Sequence, residues 1–116
     1  MRILDLTVGS SVDIHRTAHV GYIKTDYKFL LDMFGKPTDL SSDDKSTVSW
    51  SVEFLVGTRR PEKNDNDPEK IVATIYDWKT VSTPKERYEW HIGGHSPRAE
   101  RCVKHYLGFL TGDICI

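Results

Sequence analysis

The clearest pattern along the chain is an alternation of apolar and polar residues between positions 48 and 56. The apolar positions are Val48, Trp50, Val52, Phe54 and Val56. Because successive side chains of a strand point to opposite faces, this spacing predicts a half-buried β-strand. Segments 71–78 and 88–92 are rich in β-branched and aromatic residues and predict two more strands, the second of which is ended by Gly93 and Gly94.

The first 25 residues predict shorter strands. Residues 1–8 alternate and are followed by a break at Gly9-Ser10-Ser11, and residues 19–23 form a second short apolar stretch. These segments are too short to form a sheet by themselves, so we expect them to extend the sheet of the three later strands.

Helical spacing of apolar residues appears twice. The first set consists of Tyr27, Leu30, Leu31 and Phe34. It predicts a helix over 26–34, with Thr25 as N-cap and Gly35 at its C-terminal end. The second set consists of Ala99, Val103, Tyr106, Leu107 and Leu110. It predicts a C-terminal helix with Ser96 as N-cap and Pro97 at its first position.

The order of these elements defines a fold class. Three consecutive strands without crossover helices imply an antiparallel meander. We therefore predict an α+β fold: a small antiparallel sheet, made of a three-stranded meander plus short N-terminal strands, with two helices packed on one face. At 116 residues, the chain is expected to be one domain, 1–116. The open edges of so small a sheet favour a homodimer or higher homo-oligomer.

The composition and charge of the chain argue against several classes of function. The chain is 38% hydrophobic and 28% charged, with a net charge of -1. General duplex-binding domains are strongly basic, so strong general nucleic-acid binding is not expected. No apolar run is long enough to span a membrane, no signal peptide is evident, and Cys102 and Cys115 suggest no disulfide framework. A cytoplasmic protein without metal or cofactor is therefore expected.

The glycine-rich turn before the C-terminal helix is the first candidate site. Two glycines allow a backbone to approach a ligand closely, and a helix N-terminus attracts anions such as phosphate. The candidate ligand-binding residues are Gly93, Gly94, His95, Ser96, Arg98 and Arg101. The same residues are also typical of an ordinary capped turn, and this alternative stays open.

Two further candidates flank predicted elements. On segment 76–79, Tyr76 and Trp78 share one face, where they can stack a base, and Lys79 can reach a phosphate. We expect Lys79 and the aromatic strands to lie beside the glycine turn. Tyr22 and Lys24 precede the first helix and can supply a second anion contact. The alternatives are that the three tryptophans are core residues and that segment 22–25 is a plain helix start.

Catalysis has little support in the sequence. No known catalytic motif is present, and nothing places a nucleophile, a base and an orienting group together. His91 is interpreted as a hydrogen-bonded structural histidine. The charged segment 57–70 is predicted to be a long loop, either solvated or in contact with a partner. We therefore expect a protein that is not an enzyme.

Several landmarks taken together suggest a family. They are Phe34-Gly35-Lys36-Pro37, Lys45, Trp50, the segment 73–79 (ATIYDWK) and the segment 90–94 (WHIGG). Their order resembles a group of small bacteriophage proteins with no assigned activity. The resemblance implies a phage protein that acts inside a bacterium, often as an inhibitor of host defence. Two functions fit: sequestration of a phosphate-bearing nucleotide signal, cyclic or linear, without catalysis, or inhibition of a defence effector, such as a CRISPR nuclease, by protein binding.

Overall fold

A computed structural model describes residues 2–38, 47–57, 69–78 and 83–108. Within these ranges the chain forms five strands and two helices in the predicted order. The strands are β1 (Arg2–Val8), β2 (Ala18–Thr25), β3 (Ser49–Gly57), β4 (Glu69–Tyr76) and β5 (Tyr88–Gly94). The helices are α1 (Tyr27–Phe34) and α2 (Arg98–Tyr106). Most of the predicted 57–70 loop lies outside the described residues.

All five strands join one antiparallel sheet in the order β1-β3-β4-β5-β2. The predicted α+β fold and its β3-β4-β5 meander are confirmed. The two N-terminal strands occupy opposite edges of the sheet, since β1 pairs with β3 and β2 pairs with β5. β2 is longer than predicted, because its ladder with β5 runs from Ala18 to Thr25 with one irregularity between His19 and Gly21.

One face of the sheet packs against both helices. Phe34 of α1 stacks on Tyr106 of α2, with ring centroids 5.4 Å apart, so the two helices lie on the same face. The inward side chains of the meander are all buried: Trp50, Val52, Phe54, Ile71, Ala73, Ile75, Trp90 and Ile92. Trp50 and Trp90 are fully buried, and each aromatic ring of this kind removes about 150–250 Å² from water. The core interpretation therefore holds for these two tryptophans.

The tryptophans also hold the ends of α1. The Trp90 Nε1–H donates to the Thr25 carbonyl over 3.1 Å, and the Trp50 Nε1–H donates to the Gly35 carbonyl over 3.0 Å. Thr25 was predicted to be the N-cap, and this is wrong: Thr25 is the last residue of β2. Asp26 is the N-cap, and its Oδ1 accepts the Phe29 N–H over 2.8 Å. Gly35, with φ of 82°, ends the helix as predicted.

Neither of the two described helices is long and apolar enough to cross a membrane.

Candidate functional site

The face of the sheet opposite the helices carries a row of rings. In the antiparallel ladders, Tyr76 of β4 is opposite His91 of β5, and His91 is opposite Tyr22 of β2. Directly opposite residues of neighbouring strands point to the same face and lie close together. Three adjacent strands thus place three rings side by side on one face.

Two more rings complete what we call the sheet-face aromatic cluster, which consists of His19, Tyr22, Tyr76, Trp78 and His91. The His91 ring lies at its centre, 5.1 Å from His19, 5.0 Å from Tyr22, 5.5 Å from Tyr76 and 5.9 Å from Trp78, between centroids. Tyr76 stacks on His91 at an angle of 29°, while Tyr22 meets it edge-on at 64°. Such offset and edge arrangements are those that aromatic pairs prefer.

The cluster is open to solvent. Tyr22 is 43% exposed and Trp78 is 39% exposed, whereas Trp50 and Trp90 on the other face are fully buried. Both described helices pack on that other face. The cluster therefore presents ring surface to solvent instead of serving as core.

Burial and neighbouring groups shift the pKa values of two cluster residues, His91 and Tyr76. Desolvation lowers the pKa of His91 below its usual range, and His19 adds to this, while Glu89 and Asp77 oppose it. Desolvation also raises the pKa of Tyr76, helped by Tyr22. His91 Nδ1 is buried and has no hydrogen-bond partner within the described part of the chain. The prediction that His91 is hydrogen-bonded is therefore wrong for this atom. His91 is thus an uncharged ring near neutral pH.

Two contacts hold the chain at the end of β4. The Tyr88 hydroxyl accepts the Trp78 N–H over 3.0 Å, which fixes the backbone of the exposed tryptophan. The Asp77 carboxylate is buried and accepts hydrogen bonds from the Thr47 N–H, the Thr47 hydroxyl and the Val48 N–H, at 2.7, 2.5 and 3.1 Å. Asp77 thereby ties the end of β4 to the start of β3, on the side opposite the rings.

A groove runs from Tyr22 along the outer side of β2. Its volume is about 500 Å³, and its lining includes Tyr22, Lys24, Arg87, Glu89, Glu100 and Lys104. Glu100 of α2 is already engaged, because one oxygen accepts the Tyr22 N–H over 3.2 Å and lies 3.1 Å from the Lys104 ammonium. We call this the β2 groove. It is lined by three cationic side chains and two carboxylates, so its net charge is +1.

The glycine turn differs from the prediction. Gly93 and Gly94 are the last two residues of β5, so the strand ends there as predicted, but both are buried and paired with β4 on one side and β2 on the other. A Cβ at Gly93 would meet the Thr74 hydroxyl, and a Cβ at Gly94 would meet the Cβ of Ala99 in α2. These glycines allow close packing within the fold and do not form a free loop.

The following residues are partly occupied by contacts within the chain. His95 Nε2 lies 2.8 Å from the His15 carbonyl oxygen, and the Arg98 guanidinium pairs with Glu69 at 2.5 Å. α2 is assigned from Arg98, one residue later than predicted, although Pro97 already has helical dihedrals, with φ of -58° and ψ of -16°. The Ser96 hydroxyl accepts the Arg98 N–H over 3.3 Å, and Arg101 is exposed.

The fold places Gly93 beside the cluster, opposite His19 in the ladder, where an added Cβ would lie 3.5 Å from the Tyr76 ring, but it separates Arg98 from Trp78. Arg98 contacts Glu69 at the first residue of β4, whereas Trp78 follows the last residue of the same strand. At about 3.3 Å per residue, the two ends of β4 are roughly 23 Å apart. Tyr22, Lys24 and Trp78 therefore belong to the region of the cluster and β2 groove, and Trp78 does not lie beside the turn. Lys79 lies outside the described residues.

Three residues of this region were missed as ligand-binding candidates: His19, Arg87 and, as a cluster member, His91. A signal for His91 was present, because it alternates with buried Trp90 and Ile92 and so had to point outward. Nothing in the sequence indicated that β2 pairs with β5, which is what brings His19 and Tyr22 to His91.

Comparisons of the chain with protein-family models, curated proteins and solved structures found no match. The resemblance to bacteriophage proteins therefore stays a prediction. No group of three or more His, Cys, Asp or Glu side chains within the described ranges is arranged to hold a metal ion.

Proposed function

We propose that the protein binds a nucleotide by stacking its base on the sheet-face aromatic cluster, and sequesters it without chemical change. The observation that carries this proposal is the row Tyr76–His91–Tyr22 across three strands, on the face opposite both helices. An open antiparallel sheet with outward rings is a platform that proteins use to stack bases.

The energetics of stacking support a base as the ligand. Stacking a base on an aromatic side chain contributes about 1–3 kcal/mol, and any base can take part because each has a π-face. Tyr22 and Trp78 offer the most exposed rings, and His91 lies between them and contacts both. An uncharged His91 adds ring surface without the desolvation cost of a buried cation.

Binding without turnover is favoured by the surroundings of the two histidines. A histidine that acts as a general base is commonly oriented by a hydrogen bond from its other ring nitrogen. Within the described residues, no hydrogen bond joins His19 or His91 to a carboxylate or hydroxyl. The proposal is therefore a binding protein and not an enzyme.

The biological role is proposed from the resemblance to phage proteins. Such a protein would act in the cytoplasm of a host bacterium, and it would remove a nucleotide signal of host defence, cyclic or linear. A single sheet face covers only one side of a base. We therefore include a homodimer in the proposal, in which a second copy covers the other side.

The experiment uses Trp78 as a built-in probe. The protein is titrated with AMP, GMP, cyclic di-AMP, cyclic di-GMP and a cyclic trinucleotide, and tryptophan fluorescence and heat are recorded. Stacking on Trp78 should quench its emission and leave that of buried Trp50 and Trp90 unchanged, so the quenching should vanish in Trp78→Phe. Absence of both quenching and heat with every probe would refute the proposal.

A matched pair of variants locates the binding surface. Tyr22 and Ile14 are equally exposed, at 43%, but only Tyr22 belongs to the cluster. Tyr22→Ala should weaken binding by about 1–3 kcal/mol, the contribution of one stacked ring. Ile14→Ala should leave the affinity unchanged, and equal effects of the two variants would place the ligand elsewhere.

Inhibition of a defence effector by protein binding is the second candidate. The observation in its favour is the same exposed Tyr and Trp, since these residues are enriched at protein interfaces. Capture from a bacterial lysate on immobilised protein separates the two functions. A retained protein that Tyr22→Ala releases, together with no response to any nucleotide, would favour this second function.

A further inference from the structure

The β2 groove starts at a ring of the cluster and leads to cationic side chains. Tyr22 and Lys24 are two residues apart on β2 and point to the same face, so their Cα atoms are about 7 Å apart. Arg87 lines the same groove from the segment that leads into β5. In a nucleotide, the sugar separates the base from the phosphate by a distance comparable with that between Tyr22 and Lys24.

We infer that the β2 groove is the phosphate subsite of the nucleotide site, with Lys24 and Arg87 as its ligands. The inference rests on the proposed function, because it assumes a base on the cluster. It assigns the ligand class as nucleotides with at least one phosphate, in preference to nucleosides and free bases. It also places the phosphate away from the turn at Arg98, where the arginine is already paired with Glu69.

The charges of the groove support this assignment. Neither Lys24 nor Arg87 forms an ion pair with any described residue, so both cations are available. Glu100 is screened by Lys104 and by the Tyr22 N–H. Glu89 lies directly opposite Lys24 in the ladder. It forms no ion pair with any described residue, unlike Glu100, so its negative charge repels an anion bound in the groove.

The N-terminus of α1 does not compete for the phosphate. The Asp26 carboxylate caps that helix and accepts the Phe29 N–H over 2.8 Å. A second anion at this position would meet a carboxylate instead of free N–H groups. The cations of the groove, and not the helix end predicted from Lys24 and Thr25, therefore provide the attraction.

The test compares AMP with adenosine, and GMP with guanosine, by calorimetry at low and moderate salt. Wild-type protein should bind each nucleotide about tenfold more tightly than its nucleoside, and salt should weaken only the nucleotide. Lys24→Gln and Arg87→Gln should each lower nucleotide affinity about fivefold and leave nucleoside affinity unchanged. Glu89→Gln should change nucleotide affinity in the opposite direction.

Arg98→Gln is the matched control, because it removes an arginine at the other end of β4. It should leave the preference for nucleotides intact. If nucleosides bind as tightly as nucleotides, or if Arg98→Gln alone abolishes the preference, the phosphate subsite is wrong while the stacking site stands. If neither nucleosides nor nucleotides bind, the proposed function fails, and the subsite fails with it.

Discussion

Replacing Gly94 by alanine tests whether this glycine serves packing or ligand binding. Gly94 lies in β5 on the face that meets α2, and its backbone conformation is open to any residue, so an added methyl causes no backbone strain. That methyl would lie well inside 3.0 Å of the Ala99 Cβ, and 3.2 Å from the Val72 carbonyl oxygen. Ala99 is fully buried in the first turn of α2, and its Cβ is attached directly to the backbone.

The size of the effect follows from this contact. Carbon atoms pack at about 3.5–4.0 Å, so α2 has to move away from the sheet by roughly 1 Å. Overpacking of this kind costs about 1–3 kcal/mol, and no rotamer of alanine can relieve it. Alanine in a strand regains about 0.5–1 kcal/mol over glycine. We therefore expect Gly94→Ala to lower the free energy of unfolding by about 1 kcal/mol, and by at most about 2.5 kcal/mol.

The assay is urea unfolding followed by far-UV circular dichroism and tryptophan fluorescence, with thermal melting in parallel. Gly21→Ala is the control, since the atoms nearest to its Cβ would all belong to the flexible Glu100 side chain, which can move aside. Its cost should be smaller than that of Gly94→Ala, because moving Glu100 gives up only one exposed hydrogen bond and one surface ion pair, while alanine is favoured over glycine in a strand. A Gly94→Ala protein as stable as wild type would refute the packing role and restore the glycine turn as a candidate ligand loop.

Three further predictions concern charged and titratable groups. Because folding lowers the pKa of His91, the unfolded chain binds its proton more readily, so stability should be full above about pH 6.5 and fall as the pH drops below it. In urea unfolding, the free energy of unfolding of wild type should fall more between pH 7.5 and pH 5.5 than that of His91→Gln. The same fall in both proteins would contradict the role of His91. Asp77→Ala should lower the free energy of unfolding by about 1–3 kcal/mol, because it leaves the buried N–H groups of Thr47 and Val48 without their acceptor at the start of β3; a loss below 1 kcal/mol in the same assay would argue against this anchor. Arg98→Ala should change stability by only about 0–1 kcal/mol, since its ion pair with Glu69 is exposed, and thermal melting at low and high salt measures it.

The elements of the fold were predictable from local patterns. The alternation through Trp50 and Phe54 defined β3, and the spacing of Leu30 and Phe34 defined α1. Both patterns arise within a few residues, because the periods of strand and helix are properties of the backbone itself. The boundary at Thr25 was less reliable, since Asp26 is a competing cap one residue away. At α2, by contrast, the Ser96 hydroxyl does accept the Arg98 N–H.

The local pattern was misleading at the two glycines of β5. Gly93-Gly94 has the composition of a turn, and glycine is the usual sign of a strand end. The ladder continues through both residues, and glycine fits there because Thr74 and Ala99 lie where their side chains would be. Those neighbours come from β4 and α2, so the local sequence holds no sign of them.

The candidate site depends almost entirely on tertiary structure. From the sequence alone, Tyr22, Trp78 and His91 are three outward positions on three separate segments. They share a surface because β2 crosses to the far edge of the sheet and pairs with β5, in a register that sets Tyr22 opposite His91. That register is fixed by backbone hydrogen bonds and by burial of Ile23 beside Trp90, which are contacts between residues nearly seventy positions apart. Local periodicity determines which way each side chain points, and only the long-range pairing of strands decides which side chains meet.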